Sequence, residues 1–165
     1  MQDNTTRSDD GRVAPAGDEA LRLDRQLCFA LYSASAMFTR FYRPLLEPLG
    51  LTYPQYITMM VLWERAPLPV GEIGRALGLD SATLTPMLKR LETAGYVSRT
   101  RDPDDERRVL VAPTPAGAEL RDRILEKRDD MLCRIPLSPE RVSELHALLD
   151  EFNAAFRAMP GMREG

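Results

Sequence analysis

The feature that most constrains the fold lies in residues 70–113, where two predicted helices joined by a tight turn are followed directly by a predicted hairpin. Apolar residues in VGEIGRALGLDSATLTPMLKRLETAG recur at helical spacing on both sides of a turn around Gly78, and the second helix is expected at about 81–94. Asp80 is its expected N-cap and Gly95 its expected C-cap. This arrangement predicts a helix-turn-helix unit.

The hairpin is predicted by two short runs of β-forming residues, YVSRTRD and RRVLVAPT, on either side of the polar tip PDDE. A hairpin directly behind a helix-turn-helix predicts a winged helix. The fold class that we expect is therefore mainly α with a small β wing.

Further helices are predicted before and after this unit from helical spacing and from capping residues. The first helix is expected from Leu21, with Asp24 as a possible N-cap and Pro44 or Pro48 at its end. The second is expected to start near Pro54, with Thr52 as its N-cap. Two more follow the hairpin, one starting near Pro115 and one near Pro139 with Ser138 as its N-cap. Residues 1–20 are polar and have few large apolar side chains, so we expect a disordered tail there.

Length and composition limit the classes of protein to which the chain can belong. With 165 residues, 44% of them apolar and 28% charged, it is expected to form one globular domain. It has neither an uncharged apolar run of about 18 residues nor a signal sequence, so we expect no membrane partner and a cytoplasmic, reducing location. One histidine and two distant cysteines make a poor zinc site, and no metal or cofactor is expected. The net charge of −3 still permits a locally basic DNA-binding surface.

The second helix of the predicted helix-turn-helix has an apolar face and a cationic face. The apolar stripe, expected to face the core, consists of Leu84, Met87, Leu88 and Leu91. The opposite face and its flank carry small, hydroxylated and cationic residues, namely Ala82, Thr83, Pro86, Lys89, Arg90 and Thr93. A proline inside a helix costs up to about 3 kcal/mol, so a close approach to a partner such as a thymine methyl is one reason for Pro86. The residues expected to contact DNA are Ser81, Thr83, Pro86, Lys89 and Arg90; an ordinary solvated face is the alternative.

Charged residues of both signs crowd the predicted hairpin. The cations are Arg99, Arg101, Arg107 and Arg108, and the anions are Asp102, Asp104, Asp105 and Glu106. One interpretation is an exposed loop whose charges pair with one another. The interpretation that we favour places an arginine such as Arg107 in a narrow minor groove, with Asp105 orienting it by a charged hydrogen bond. All the cations are arginines, which suit groove and phosphate contacts better than lysines.

Cys28 lies early in the first predicted helix, within LDRQLCFALY, and Cys133 is the only other cysteine. A cysteine on an apolar helical face is most often a small buried hydrophobe. Two features favour a reactive thiol instead. If Asp24 caps the helix, Cys28 lies in its first turns, where the positive end of the macrodipole favours a thiolate. A second thiol, Cys133, is also available to convert a sulfenic acid into a disulfide.

The element order and the wing sequence RTRDPDDERRVLVAPTPAG resemble the MarR family of dimeric winged-helix regulators. The wing signature of that family, Arg-x-x-Asp and then Asp-x-Arg-x-x-x-Val-x-Leu-Thr, is matched by Arg99, Asp102, Asp105, Arg107, Val111 and Thr114. Pro113 replaces the leucine, which concerns the packing of the wing. Within the family, LDRQLCFALYSAS, LTYPQYITMMVLWE and DSATLTPMLKRLE are similar to the branch that senses organic hydroperoxides, the OhrR type.

The resemblance implies an architecture and a set of sensing residues. It implies N- and C-terminal dimerisation helices at about 21–48 and 115–160, and a DNA-binding region at about 52–115. In this branch two tyrosines hydrogen-bond the reactive cysteine, and Tyr42 and Tyr53 stand in the matching places. Cys133 resembles the resolving cysteine of the two-cysteine subset, which forms its disulfide with the reactive cysteine of the other subunit.

These expectations combine into one functional hypothesis with two alternatives. We expect a homodimeric repressor that binds an inverted-repeat operator in double-stranded DNA and releases it when an organic hydroperoxide oxidises Cys28. One alternative is a MarR-type regulator that binds a small phenolic ligand non-covalently, with Cys28 as core filler. The other is a thiol peroxidase; such an enzyme would not need a helix-turn-helix and a wing, so we expect no enzyme.

Overall fold

The structure, a computed structural model, describes residues 17–160. The chain forms two units, Met1–Arg43 and Pro44–Gly165. The tail predicted at 1–20 lies outside the described residues as far as residue 16, and Gly17–Leu21 is a short 3-10 helix. Among the described residues no helix is long and apolar enough to cross a membrane.

The first unit is dominated by helix α1, Leu27–Leu46, whose last residues belong to the second unit. The prediction that Asp24 caps this helix is wrong. Asp24 lies in a separate 3-10 segment, Leu23–Arg25, and its carboxylate accepts hydrogen bonds from the Arg22 guanidinium at 2.8 and 3.1 Å. The backbone is extended at Gln26, after this segment, and the helix starts later, at Leu27.

The end of α1 decides between the two prolines proposed as its terminator. The helix continues through Pro44 and ends at Leu46. Pro48 follows inside a 3-10 turn, Glu47–Leu49, which closes on Gly50 with a positive φ of 68°. Pro48 therefore marks the end of the helix, and Pro44 lies within its last turn.

The second unit has the element order of a winged helix. Its elements are α2 Tyr53–Arg65, β1 Leu68–Pro69, α3 Val70–Leu77, α4 Ser81–Thr93, β2 Val97–Arg101, β3 Val109–Pro113, α5 Pro115–Leu132 and α6 Pro139–Ala158. Helices α3 and α4 form the helix-turn-helix, and β2 and β3 form the wing. The predicted fold class, mainly α with a small β wing, is confirmed.

Local capping chemistry fixes the helix starts in this unit. Thr52 and Gln55 form a reciprocal capping box at α2. Asp80 Oδ1 accepts from the backbone N–H of Thr83 at 2.7 Å, and Ser138 caps α6. These predicted N-caps are confirmed. At the end of α4 the C-cap is Ala94, and Gly95, with a φ of 79°, is the residue after it.

The sheet contains a short strand that the sequence did not predict. Its order is β1-β3-β2, with both pairs antiparallel. In β1, Leu68 pairs with Val111 and Pro69 with Leu110. This pairing places the start of α3 beside the base of the wing.

The core of the second unit joins the helix-turn-helix to the sheet and to α5. Its buried side chains include Leu51, Tyr56, Met59, Leu62, Ile73, Leu84, Leu88, Leu91, Val97, Val111, Leu120 and Ile124. The predicted stripe of α4 faces this core, with Met87 half-buried at its edge. By contrast, no side chain of α6 is buried within the described chain.

Candidate DNA interface and thiol site

Helix α4 exposes the face that was predicted to contact DNA. Ser81, Thr83, Pro86, Lys89 and Arg90 are all exposed, while Leu84, Leu88 and Leu91 are buried on the opposite side. Neither Lys89 nor Arg90 has an ion-pair partner among the residues that the structure describes. The two cations are therefore available to phosphates or bases.

Two contacts fix α4 beneath this face. Thr58 Oγ1 of α2 lies 3.2 Å from Met87 Sδ and 2.9 Å from the carbonyl oxygen of Pro54. At the N-terminus, the hydrogen bond from Thr83 lowers the pKa of the Asp80 carboxyl, so the cap stays anionic at neutral pH. These contacts connect the inner side of α4 to α2 and cap its N-terminus.

The charges of the wing are only partly paired. Arg99 lies 3.7 Å from Glu92, and Arg108 lies 3.5 Å from Glu72 and 3.8 Å from Asp102. Arg101 and Arg107 have no ion-pair partner within the described part of the chain. The alternative of a fully self-paired loop is therefore wrong for these two arginines.

Asp105 orients the tip through the backbone and not through a guanidinium. Its Oδ1 accepts from the backbone N–H of Arg107 at 3.1 Å, and its carbonyl oxygen accepts from the N–H of Arg108 at 2.9 Å. The predicted side-chain bond to an arginine is corrected accordingly. An aspartate at a turn bonds its own backbone two residues on, and here this geometry leaves the Arg107 side chain free to project.

Cys28 is the second residue of α1, and its thiol is free and exposed. Although the predicted cap was wrong, Cys28 does lie in the first turn, where the positive end of the helix dipole favours a negative charge. Its exposure also means that Cys28 does not fill the core of its own chain. Cys133, the C-cap of α5, is likewise a free, exposed thiol.

The two tyrosines proposed to support the thiol have different surroundings. Tyr42 is buried and its ring packs against Phe38 at 5.4 Å and Phe41 at 5.9 Å, between ring centroids. Tyr53 is half-buried at the start of α2, and burial raises the pKa of its phenol. A phenol that resists ionisation remains a hydrogen-bond donor at neutral and mildly alkaline pH.

Tyr32 and Tyr56 are the other tyrosines of this region, and their positions in the sequence favour core or rim packing over a role beside the thiol. Tyr56 is buried, as expected. Burial raises its pKa, while the charge of Arg128 and a hydrogen bond with it act in the opposite direction. Tyr32 is 70% exposed in the single chain, so it is not a core residue there, and rim packing is the part of the prediction that stays untested.

Two cavities bring together residues that the sequence analysis did not group, although it had singled out the wing arginines individually. An open cavity of about 360 Å³ between α3 and the wing is lined by residues that include Glu72, Arg75, Arg99, Arg107 and Arg108. A second, of about 370 Å³, is lined by residues of α2 and α5 that include Tyr56, Trp63, Arg121 and Arg128. The residues that line each cavity come from elements distant in sequence, so no local sequence pattern predicts that they lie together. The helical position of Arg75, one turn after Glu72, was the only available signal.

Comparisons with known proteins agree with this arrangement. The model of the MarR family matches residues 51–109. An organic hydroperoxide resistance transcriptional regulator of Bacillus subtilis is 43% identical over 129 residues, which cover 78% of this chain and 88% of that protein.

Two solved structures of AbfR, a protein of Staphylococcus epidermidis, are also similar. Reduced AbfR bound to DNA has a TM-score of 0.74 at 36% identity, covering 85% of this chain and 96% of that one. AbfR with a disulfide formed has a TM-score of 0.58 at 38% identity, covering 81% of this chain and 94% of that one.

Proposed function

The chain belongs to the MarR family, and from that premise we propose that it is a repressor that senses organic hydroperoxides through Cys28. The family and these relatives are transcriptional regulators, so the chain is a DNA-binding transcriptional regulator and not an enzyme. The observation that carries the sensing role is the position of Cys28, a free and exposed thiol in the first turn of α1. The description of the Bacillus subtilis relative supports an organic hydroperoxide as the signal.

In this proposal the operator is bound by α4 and the wing, within a DNA-binding region at about 52–115. Ser81, Thr83, Pro86, Lys89 and Arg90 approach the major groove, and Arg107 enters the adjacent minor groove beside Asp105. The exposure of these side chains and the unpaired charges of Arg90 and Arg107 support these roles. A two-fold dimer reads an inverted repeat when its α4 helices lie about 34 Å apart, on half-sites about 10 bp apart.

The homodimer is supported by apolar side chains that a single chain leaves uncovered. On α1 these are Leu27, Phe29, Tyr32, Met37 and Phe38. On α6 they are Val142, Leu145, Leu148, Leu149 and Phe156. Val142, Leu145, Leu149 and Phe156 are three, four and seven residues apart, a spacing that places them on one face of the helix. Large contiguous apolar surfaces mark association sites. We assign them to a second copy of the chain, with dimerisation helices at about 21–48 and 115–160.

The sensing site that we propose is composite. Tyr42 lies fourteen residues beyond Cys28 on the continuous helix α1, which separates the two by about 21 Å along the axis. Tyr42 therefore reaches a Cys28 thiol only across the dimer, and we propose that it supports the partner's Cys28. Tyr53 supplies a second phenol, which can donate to a thiolate without bringing a charge into an apolar site.

The proposed chemistry has two steps. The Cys28 thiolate attacks the peroxide, and with one proton taken up the products are Cys28 sulfenic acid and an alcohol. The Cys133 thiol then attacks the sulfenic sulfur, which forms a disulfide and releases water. A disulfide requires Cα atoms within about 7 Å of each other. Where the reduced dimer holds the two cysteines further apart, the backbone must move, and the two DNA-binding regions then no longer match the operator.

A gel shift on the protein's own upstream DNA tests this proposal. The reduced protein should bind, cumene hydroperoxide should release it, and dithiothreitol should restore binding. On a non-reducing denaturing gel, the oxidised protein should migrate as a covalent dimer if the disulfide joins two subunits. Binding that is unchanged by cumene hydroperoxide would refute the sensing role and leave the DNA-binding role intact.

A second candidate function is a response to a small phenolic ligand without covalent chemistry. The cavity of about 370 Å³ lined by Tyr56, Trp63, Arg121 and Arg128 favours it, because aromatic walls and two guanidinium groups suit an anionic aromatic molecule. The test adds a phenolic acid at constant redox state. This candidate is supported if the wild type and a Cys28→Ser variant both release the operator.

A further inference from the structure

Arg108 connects the wing to the helix-turn-helix. We propose that it is a positioning residue, which holds the wing at a fixed angle to α3 and thereby sets where Arg107 meets the DNA. The inference rests on the proposed role of the wing in operator binding. Its basis is a chain of contacts from Glu72 in α3, through Arg108, to Asp102 at the end of the wing-tip loop, the segment 102–108.

On the wing side, Arg108 and Asp102 hold the two ends of the wing-tip loop together. The N–H of Asp102 donates to the carbonyl oxygen of Arg108 at 3.0 Å. Their side chains also meet, with Arg108 Nε 3.8 Å from Asp102 Oδ2. Asp102 is buried and its Oδ1 accepts from the N–H of Asp104 at 3.0 Å. The backbone and the guanidinium of Arg108 are therefore both held by Asp102 on the wing side.

On the other side, the guanidinium contacts a helix that is fixed in the core. Arg108 Nη2 donates to Glu72 Oε1 at 3.5 Å. Glu72 lies in the first turn of α3, next to the fully buried Ile73. Arg75 of the same helix lies 3.8 Å from the same Glu72 oxygen. Arg108 therefore connects the wing to a helix whose next residue, Ile73, is packed in the core.

The exposure of the pair explains why its role concerns geometry more than stability. The side chains of Arg108 and Glu72 are 47% and 40% exposed. Exposed ion pairs contribute little to folding, because water screens them and ordering the side chains costs entropy. The base of the wing is held by the buried Val97 and Val111 and by the Arg99–Glu92 pair, whereas Arg108 contacts α3 next to the wing-tip loop. A weak contact at this place can therefore still select among the angles that the outer part of the wing adopts.

A rival explanation is that Arg108 itself binds a DNA phosphate. The cavity of about 360 Å³ beside it is also lined by Arg75, Arg99 and Arg107, whose positive charges would attract an anion. The two explanations differ in what a charge exchange does. Once Asp102, the second partner of Arg108, is made neutral, a positioning pair works with the charges in either order, whereas a phosphate contact fails when position 108 is acidic.

The test compares Glu72→Arg, Arg108→Glu and the double variant on two duplexes. Each is made in a chain that also carries Asp102→Asn, which is the reference, so that a carboxylate at 108 does not face a second one and the bond from the N–H of Asp104 is kept. Both duplexes carry the protein's own upstream operator, one with A·T pairs and one with G·C pairs in the flanks under the wing. The readout is the ratio of the two affinities, because it cancels the general electrostatic effect of each substitution. Each single variant should lower this ratio roughly two- to fivefold, the range of an exposed ion pair, and the double variant should restore it.

Arg101→Glu is the matched control, because Arg101 is a wing arginine without an ion-pair partner in the described chain. It should lower both affinities with the ratio unchanged, and Glu72→Arg should not rescue it. Arg108→Gln gives a second, uncharged variant that should also lower the ratio, with a melting temperature close to that of the wild type.

Two outcomes would overturn the inference, and they differ from failure of the proposed function. An unchanged ratio in every variant would do so, and so would a double variant that stays as poor as Arg108→Glu. A wild-type ratio near one would instead remove the minor-groove role on which the inference rests.

Discussion

Cys28 and Tyr42 occupy one uninterrupted helix, α1, and lie about 21 Å apart along its axis. A hydrogen bond spans about 3 Å, so the two side chains of one chain cannot meet. A thiol sensor that uses both residues is therefore assembled from two subunits. The same helix also carries exposed apolar side chains, such as Leu27 and Met37, that a second subunit can cover.

Mixed dimers test this composite arrangement. One chain carries Cys28→Ser and the other carries Tyr42→Phe. If the pair forms across subunits, the mixed dimer keeps one complete site, and its remaining Cys28 should be oxidised at the wild-type rate. The Tyr42→Phe homodimer should react roughly tenfold or more slowly, since it lacks a hydrogen bond to a charged acceptor, worth about 1.5–3 kcal/mol. Stopped-flow oxidation by cumene hydroperoxide measures both rates; equally slow reaction in the mixed dimer would contradict the arrangement.

DNA affinity should depend on the unpaired cations of α4 and the wing. Arg90→Ala and Arg107→Ala should each weaken operator binding roughly tenfold, within the range of about 1–3 kcal/mol for a base contact. The loss at Arg107 should be largest on A·T-rich flanks, where the minor groove is narrow. Arg157→Ala, at the end of α6 and outside the proposed DNA-binding region, is the control and should bind normally. Fluorescence anisotropy at several salt concentrations measures the affinities, and equal affinity of all variants would refute the assignment.

The pH dependence of stability should report the burial of Tyr53. Burial favours the neutral phenol and raises its pKa in the folded state. In the unfolded chain the phenol ionises near its ordinary value of about 10. The contribution of Tyr53 is therefore complete below that pH and is lost as the pH rises through the folded pKa. Between pH 9 and 11 the wild type should lose more unfolding free energy than Tyr53→Phe, measured by urea denaturation at one protein concentration. Parallel loss in both proteins would contradict this.

Two glycines of α3 should respond in opposite ways to alanine. A Cβ added at Gly74 would lie 2.8 Å from the carbonyl oxygen of Leu79, whereas one added at Gly71 would meet nothing within 4 Å. Gly74→Ala should therefore destabilise the chain by about 1–3 kcal/mol through overpacking. Gly71→Ala should be neutral or stabilising by up to about 1 kcal/mol, because alanine is the better helix former. Thermal unfolding distinguishes them, and equal melting temperatures would show that the turn can adjust.

Local chemistry explains which parts of the fold could be predicted. The N-caps Thr52, Asp80 and Ser138 each accept a hydrogen bond from a backbone N–H three residues later. Because both partners are close in sequence, these caps can be predicted from the local sequence. Asp24 has the same side chain as Asp80, but Arg22 engages its carboxylate and the helix begins elsewhere. Whether a carboxylate accepts from a backbone N–H or from a neighbouring side chain is not visible in residue spacing alone.

Features that depend on distant partners were not predicted. Strand β1 has two residues, and it exists because it pairs with β3 more than forty positions later. Glu72 and Arg108 are separated by 36 positions, and each looks like an ordinary surface charge. The separation of Cys28 and Tyr42, in contrast, follows from helix geometry once the helix is known to be continuous.

The central claim is that oxidation of Cys28 releases the operator, and the most direct test is a gel shift of Cys28→Ser with cumene hydroperoxide. A serine hydroxyl does not form a sulfenic acid, so this variant should bind the operator as the reduced wild type does and stay bound at every peroxide concentration. Cys133→Ser, which keeps the reactive thiol, should be oxidised without forming the disulfide. If hydroperoxide instead releases Cys28→Ser as readily as the wild type, Cys28 is not the sensor and the account is wrong.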